Sequence, residues 1–301
     1  MLYVTGITGH SGRWFVKRLV SEGYKGKIRC IVLPESDTDF LNESGLDIDI
    51  VIGDLNDRKF LTYTMVGCST VLHIASIDFS RNVVKAALDN NVDWAILVHT
   101  TGRYSKYKSA SAEYIEIEEY VLKFRNRMGI TVLRPTMIYG SSRDRNMYKL
   151  ITFLHKIKFF PMFGKGENLM QPVHARDLGN AYYDVIVNRS TTFNKGYNLP
   201  GKRPMTYMAL VRTVSDTLGR KNIIIKIPLW FSILAAKIYN ALVKNAIISV
   251  EQVLRMQEDK AFDYEDAIRD FAYSPVSFED GIVEEVNEYL AKHNSLRTKQ
   301  Q

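Results

Sequence analysis

Directly behind the first apolar run, Leu2-Tyr3-Val4-Thr5, the chain reads Gly6-Ile7-Thr8-Gly9-His10-Ser11-Gly12 and then enters a helical pattern. A glycine triad between a strand and a helix constrains this chain more than any other feature, because it demands a βα unit with a sharp turn. Gly6 permits the turn, Gly9 lets backbone approach a pyrophosphate, and Gly12 lets helix and strand pack closely. Unpaired amides and the dipole at a helix start favour an anion there. The competing reading is a tight turn without a ligand. On the ligand reading, Gly6, Thr8, Gly9, His10, Ser11 and Gly12 hold a dinucleotide.

The pattern that follows supports such a unit. Short β-branched runs at Leu2–Thr5, Ile28–Leu33, Ile48–Ile52, Thr70–Ile74, Trp94–His99 and Ile130–Arg134 alternate with helical patterns near 11–22, 57–66, 81–90 and 108–128. That alternation predicts an α/β fold, a Rossmann-type doubly wound parallel sheet. Ala95-Ile96-Leu97-Val98 is continuously apolar, as a sheet covered on both faces requires. After Tyr139-Gly140 the pattern loosens into a basic helix near 143–158, an aromatic loop at 159–164, helices near 176–189 and 206–219, and a strand Ile223–Ile227. The expected organisation is a dinucleotide-binding core over 1–140, a smaller substrate-binding C-terminal lobe over 141–295 interleaved with it, and a flexible tail over 296–301.

Composition narrows the class. With 46% hydrophobic and 24% charged residues in 301, the chain is neither disordered nor collagen-like nor a disulfide-stapled mini-domain. The net charge of +7 is compatible with anionic ligands or membrane surfaces but reads first as a solvated basic surface, and it does not mark a nucleic-acid partner; the expected partner is a small-molecule, anionic substrate. Cys30 and Cys68 fall in or beside apolar runs and read as buried thiols. Met1 leads straight into a strand, and no apolar run reaches the ~18 residues of a membrane span. The expected compartment is the cytoplasm. The strongly apolar stretch over 228–243 reads as a lid, a homodimer surface or a membrane contact.

Further motifs carry a resemblance. Gly53-Asp54-Leu55 ends the third strand, where Asp54 either accepts from an adenine amino group or serves a helix start. Together with the glycine turn, Val71-Leu72-His73-Ile74-Ala75-Ser76, Leu133-Arg134-Pro135-Thr136-Met137-Ile138-Tyr139-Gly140 and Gln171-Pro172-Val173-His174-Ala175-Arg176-Asp177-Leu178 make the chain resemble the extended and atypical short-chain dehydrogenase/reductases, the NAD-dependent epimerase/dehydratase family. Tyr197-Asn198-Leu199-Pro200-Gly201 and Tyr273-Ser274-Pro275 extend the likeness to about residue 290. The resemblance implies that Asp54, Leu55, Ile74, Ala75, Ser76, Thr100 and Pro135 border the cofactor. The cofactor is NAD or NADP. No Arg follows the second strand, which leans the reading to NAD; Glu35 is the nearest acid.

The family pairs a Ser or Thr at the end of the fifth strand with a Tyr-x-x-x-Lys on the next helix, and the Lys stabilises the phenolate. Here the strand ends Val98-His99-Thr100-Thr101, so the hydroxyl is available. Counting back from Arg134-Pro135 places the Tyr between Tyr107 and Ala110, yet Ser111 to Tyr114 supply no Lys. Tyr104-Ser105-Lys106-Tyr107-Lys108 has the spacing, although Tyr104 stands close to the strand. The catalytic candidates are therefore Thr101, Tyr104, Tyr107 and Lys108. Arg143, Arg145, Lys149, Lys165 and His174 are candidates for an anionic, nucleotide-sugar substrate. No His or Cys spacing suits a metal. Two functions remain open: an epimerase-, dehydratase- or reductase-like enzyme with a degenerate Tyr-x-x-x-Lys site, or a non-catalytic dinucleotide-binding sensor or scaffold.

Overall fold

The computed structural model describes residues 1–144, 146–231, 233–234 and 250–298. Its first half consists of β1 (Leu2–Thr5), α1 (His10–Ser21), β2 (Ile28–Val32), α2 (Asp39–Asn42), β3 (Ile48–Ile52), α3 (Arg58–Thr64), β4 (Thr70–His73), α4 (Ser80–Asp89), β5 (Trp94–Val98), α5 (Lys108–Leu122) and β6 (Gly129–Pro135). The strands form one parallel sheet in the order β3-β2-β1-β4-β5-β6, and Gly196–Leu199 adds a seventh strand beside β6. The order reverses between β1 and β4, so the ligand crevice of such a sheet opens at their C-terminal ends. The fold is the Rossmann-type doubly wound sheet that the alternation predicts.

Side-chain burial follows from covering both faces. One cluster (Val4, Phe15, Leu19, Ile96, Leu133, Tyr182) lies under α1 and the helix Ala175–Val187. A second (Tyr3, Leu61, Val71, Val83, Ala95, Leu97, Val132) lies under α3 and α4. Alternate residues of each strand feed opposite clusters, as strand geometry requires. A third cluster (Met147, Ile151, Leu154, Met162, Leu210, Val214, Ile282) packs the helices Met147–Lys156, Tyr207–Thr217 and Phe278–Thr298 together.

The structure corrects some of the sequence reading. Phe159–Phe163 is not a loop but a strand, paired in parallel with Ile223–Ile227. Aromatic and glycine residues obscured an alternation in which Phe160 and Met162 are buried while Phe159 and Pro161 are exposed. The seventh sheet strand, too short to stand out, was legible only as part of the family pattern. Of the apolar stretch over 228–243, Trp230, Phe231 and Leu234 are exposed, and 232 and 235–243 lie outside the described residues. The last helix continues to Thr298, and 299–301 lie outside the described residues. Cys30 and Cys68 are buried and free, and burial pushes the Cys30 thiol up to about 12.

Two buried polar groups under the sheet are matched by side chains. The Trp94 indole donates to Thr131 Oγ1 at 2.9 Å, and that hydroxyl donates to the Thr192 carbonyl at 2.7 Å. On α5, Glu118 is fully buried. Its carboxylate accepts from Arg134 Nη2 at 2.6 Å and from Arg134 Nε at 3.1 Å, pairs with Arg103, and lies 3.1 Å from His99 Nδ1. Removing one partner from such a group leaves uncompensated buried charge. Glu118→Ala is expected to destabilise the fold by about 3–5 kcal/mol, read from urea unfolding; a loss below about 1 kcal/mol would mean the arginines find water instead.

Candidate functional site

The glycine turn is built by backbone contact. Gly6 has φ +74, and a Cβ there would lie 2.6 Å from the Ala75 nitrogen. A Cβ on Gly12 would lie 2.4 Å from the Gly6 oxygen, so helix and turn touch where only glycine fits. Gly9 differs: it is exposed, its amide donates to the Gly6 carbonyl at 3.0 Å, and a Cβ would meet that oxygen at 3.1 Å. It therefore borders open space rather than packed backbone. His10 begins α1 with its Nε2 buried and without a hydrogen-bond partner, and burial lowers its pKa. An orphaned polar atom beside free helix amides fits a polyanionic ligand at this turn.

The other cofactor candidates surround the turn. Ile74 N donates to the Thr5 carbonyl at 3.0 Å, placing Ile74-Ala75 against Gly6. The Ser76 hydroxyl donates to Asp78 at 2.7 Å. The Ser11 hydroxyl is buried, 3.1 Å from that of Tyr182. Asp54 is exposed and accepts from the Asn56 amide at 2.9 Å, while Asp57, not Asp54, caps α3; Leu55 is buried. The Thr8 carbonyl accepts from Arg13 Nε at 3.2 Å. Arg13 also packs over the Phe40 ring at 3.9 Å and meets the Asp37 carboxylate at 2.7 Å, which holds that carboxyl below its ordinary range. Asp37, not Glu35, is thus the acid beside the turn. Sequence distance from the second strand alone did not single it out.

His73, at the end of β4, lies 2.6 Å from Thr5 Oγ1 and 3.1 Å from the Ser76 carbonyl. His99, at the end of β5, bonds Ser80 and Glu118. Burial, with the His99 ring adding to it, pushes the His73 imidazole down to about 3. These are satisfied core histidines, as a packed histidine at a strand end is expected to be.

Two adjoining cavities open at the strand ends. One of about 400 Å³ brings together Thr101, Tyr104 and Tyr107. The other, about 690 Å³, is lined by His10, Thr100, Thr101, Thr136 and Arg143. Both share Thr101, Gly102, Arg255 and Lys260. Thr101 donates to the Pro135 carbonyl at 3.2 Å, and Thr100 accepts from the Gly102 amide at 3.0 Å. Tyr104 is half-exposed, with its hydroxyl 3.3 Å from Asn198 Oδ1. Lys108 is exposed and lines neither cavity.

The substrate candidates scatter. Arg143 borders the larger cavity and lies 3.7 Å from Asp37. Lys149 is exposed on its helix, Lys165 faces a separate surface hollow near Lys226, and Arg145 lies outside the described residues. His174 is buried, caps the helix Ala175–Val187 by accepting from the Arg176 amide at 3.1 Å, and packs against Tyr139. Burial pushes it down to about 4. Arg255 and Lys260, both in the cleft, were missed. Only a run of charge in the C-terminal lobe marked them, and no spacing tied it to the strand ends.

The sheet order and the cleft at its carboxyl ends define a Rossmann-type α/β fold with an appended lobe. No protein-family profile matches the chain. Over 227 residues it is 23% identical to the sterol-4-alpha-carboxylate 3-dehydrogenase, decarboxylating, of Dictyostelium discoideum, covering 61% of this chain and 66% of that protein. It is 22% identical over 205 residues to the N-acetyl-alpha-D-glucosaminyl-diphospho-ditrans,octacis-undecaprenol 4-epimerase of Escherichia coli O157:H7, covering 56% and 61%. The aligned parts thus span less than two thirds of these relatives. Among solved structures, the dTDP-glucose 4,6-dehydratase of Streptomyces venezuelae with NAD and TYD bound superposes with a TM-score of 0.75 at 18% identity over 97% of this chain and 98% of that one. The UDP-glucose 4-epimerase of Thermotoga maritima with UDP-glucose gives 0.72 at 17% identity over 97% and 99%. In sequence and fold the chain resembles the extended short-chain dehydrogenase/reductases.

The buried histidines make stability depend on pH. An unfolded His73 takes up a proton below about 6.5, whereas the folded one resists until about 3. Stability present above the unfolded value is therefore lost as pH falls through that window. His73→Gln is expected to flatten the decline by up to one proton, roughly 1.4 kcal/mol per pH unit. Urea titrations across the window check it; an unchanged slope would place the sensitivity elsewhere.

Proposed function

We propose that the chain binds a nicotinamide dinucleotide at the glycine turn and acts as an epimerase-, dehydratase- or reductase-like enzyme on a hydroxylated, nucleotide-sugar substrate. The observation that carries this reading is the glycine turn, with Gly9 open beside an orphaned His10, adjoining a cleft that contains Thr101 and Tyr107. The bound cofactor would supply a hydride acceptor or donor. The Gly9–Gly12 backbone would hold its pyrophosphate, and Thr101 would orient the reacting oxygen while Tyr107 holds or takes its proton. Arg143 and Arg255 would meet the substrate's diphosphate. The NAD-bound dehydratase and the UDP-glucose-bound epimerase of like fold support the same ligand classes.

The second reading, a dinucleotide-binding sensor or scaffold without turnover, draws on one observation: Lys108 lies outside the cleft and Ser111 occupies the place four residues after Tyr107. Turnover of a nucleotide sugar or sterol-like alcohol with NAD, lost in Thr101→Val, would exclude it.

Two binding outcomes follow. Gly9→Val is expected to abolish binding of NADH and NADPH in fluorescence titrations with an unchanged circular dichroism spectrum, and unchanged binding would remove the ligand from this turn. The Asp37 carboxylate, paired with Arg13, would repel a 2′-phosphate, which favours NAD. Asp37→Asn is expected to improve NADPH affinity by about tenfold relative to NADH, about 1.4 kcal/mol; an unchanged ratio would place the ribose elsewhere.

A further inference from the structure

The helix that follows β5 lacks a lysine where a proton-transferring tyrosine needs one. Four residues after Tyr107 stands Ser111, buried, with its hydroxyl donating to the Tyr107 carbonyl at 3.2 Å. A lysine nevertheless lines the cleft at that end. Lys260 lines the smaller cavity with Thr101 and Tyr107, and the larger one with Thr100 and Thr101.

Its backbone is firmly held. Lys260 N donates to the Leu169 carbonyl at 2.7 Å, and Phe262 N donates to Gln171 Oε1 at 2.8 Å. The neighbouring carboxylates are engaged elsewhere. Glu258 accepts from the Ser105 hydroxyl at 2.8 Å and from the Lys106 amide at 2.7 Å, while Asp259 accepts from the Leu169 amide at 2.7 Å. Among the described residues no carboxylate forms an ion pair with Lys260. Burial, with Arg255 adding to it, lowers the Lys260 pKa.

We propose that Lys260 is the cation of the reaction end, a positioning residue brought from the C-terminal lobe to act on Tyr107 in place of the lysine that α5 lacks. The proposal rests on the cofactor reading above for its role, though not for its geometry. When a proton passes between a substrate hydroxyl and the Tyr107 oxygen, negative charge builds on oxygen, and an ammonium lining the same cavity offsets it. Lys260 keeps its own proton throughout. The site is then complete, but its members come from positions 101, 107 and 260 rather than from one helix.

The test uses the full chain reductively methylated with ¹³C-formaldehyde, so that each lysine gives a dimethyl resonance, with that of Lys260 identified by its loss in Lys260→Arg. The Lys260 resonance is expected to move in Tyr107→Phe, checked as folded by circular dichroism, and to move in the wild type on saturation with NADH. Lys165, exposed beyond the cleft, is expected to hold still in both. A Lys260 resonance blind to Tyr107→Phe would overturn the proposal, because a lysine held only for structure does not sense the phenol. A response to Tyr107→Phe in a protein that does not bind NADH would leave the proposed juxtaposition standing and overturn the cofactor reading instead.

Discussion

Helix α1 is pressed on two sides at points where a side chain is missing, and the crevice depends on that. Toward the sheet, Gly12 leaves no space between the helix and the Gly6-Ile7 turn. Toward the helix Ala175–Val187, a Cβ on Gly179 would stand 2.6 Å from the Phe15 nitrogen. Phe15 and Tyr182 then meet edge to face at 6.3 Å, and the Ser11 and Tyr182 hydroxyls approach within hydrogen-bond distance. Backbone-to-backbone contacts are stiff, because there is no rotamer through which to relax. They fix the height and start of α1, and so aim its unpaired amides at the carboxyl edge of the sheet. A helix held this way is a preorganised anion site whose ordering cost is already met in folding.

The inner side of the neighbouring helix is organised by electrostatics. The inward face of α5 carries Glu118, buried against Arg134, Arg103 and His99. Arg134 belongs to the Arg-Pro signature, yet its guanidinium is spent on this carboxylate. The cations already there come from β6 and the loop after β5, and the helix supplies the anion that they need.

What could be read from the sequence was what is local. Strands with β-branched periodicity, the glycine turn and the Arg-Pro and His…Asp landmarks all depend on neighbours within a dozen residues, and they led to the right sheet. Phe159–Phe163 was lost because its parallel partner lies about sixty residues on, so no hairpin signal marks it. Asp37 was lost because a loop, not a fixed offset, brings it to Arg13. Lys260 was beyond reach for the same reason in stronger form. Its neighbours in the cleft are Thr101 and Tyr107, and no periodicity spans that separation. Tyr104 and Tyr107 were named from spacing, and the fold brings both to one cavity, whereas Lys108, equally well spaced, points the charge elsewhere.

The proposed reaction end is an interface within one chain. The loop that carries Tyr104 to Tyr107 is anchored by Glu258, more than 150 residues away, through a hydroxyl and a backbone amide. Tyr104 stacks near Phe262 at 5.5 Å, and Gln257 donates to the Phe163 carbonyl at 3.0 Å, so the same short segment grips the sheet loop and the lobe together. The entropic cost of closing so long a loop grows only slowly with its length, about 0.6 kcal/mol per doubling, so a few such bonds suffice to hold it. The consequence is a division of labour. Glycine contacts of α1 with its own turn and with Gly179 set the proposed dinucleotide end, and none of them involves residues 254–262. The proposed proton-transfer end depends on residues 254–262 staying docked on the loop after β5, where Glu258 holds Ser105 and Lys106. Loosening that segment would remove Arg255 and Lys260 from the cleft and leave the parallel sheet intact.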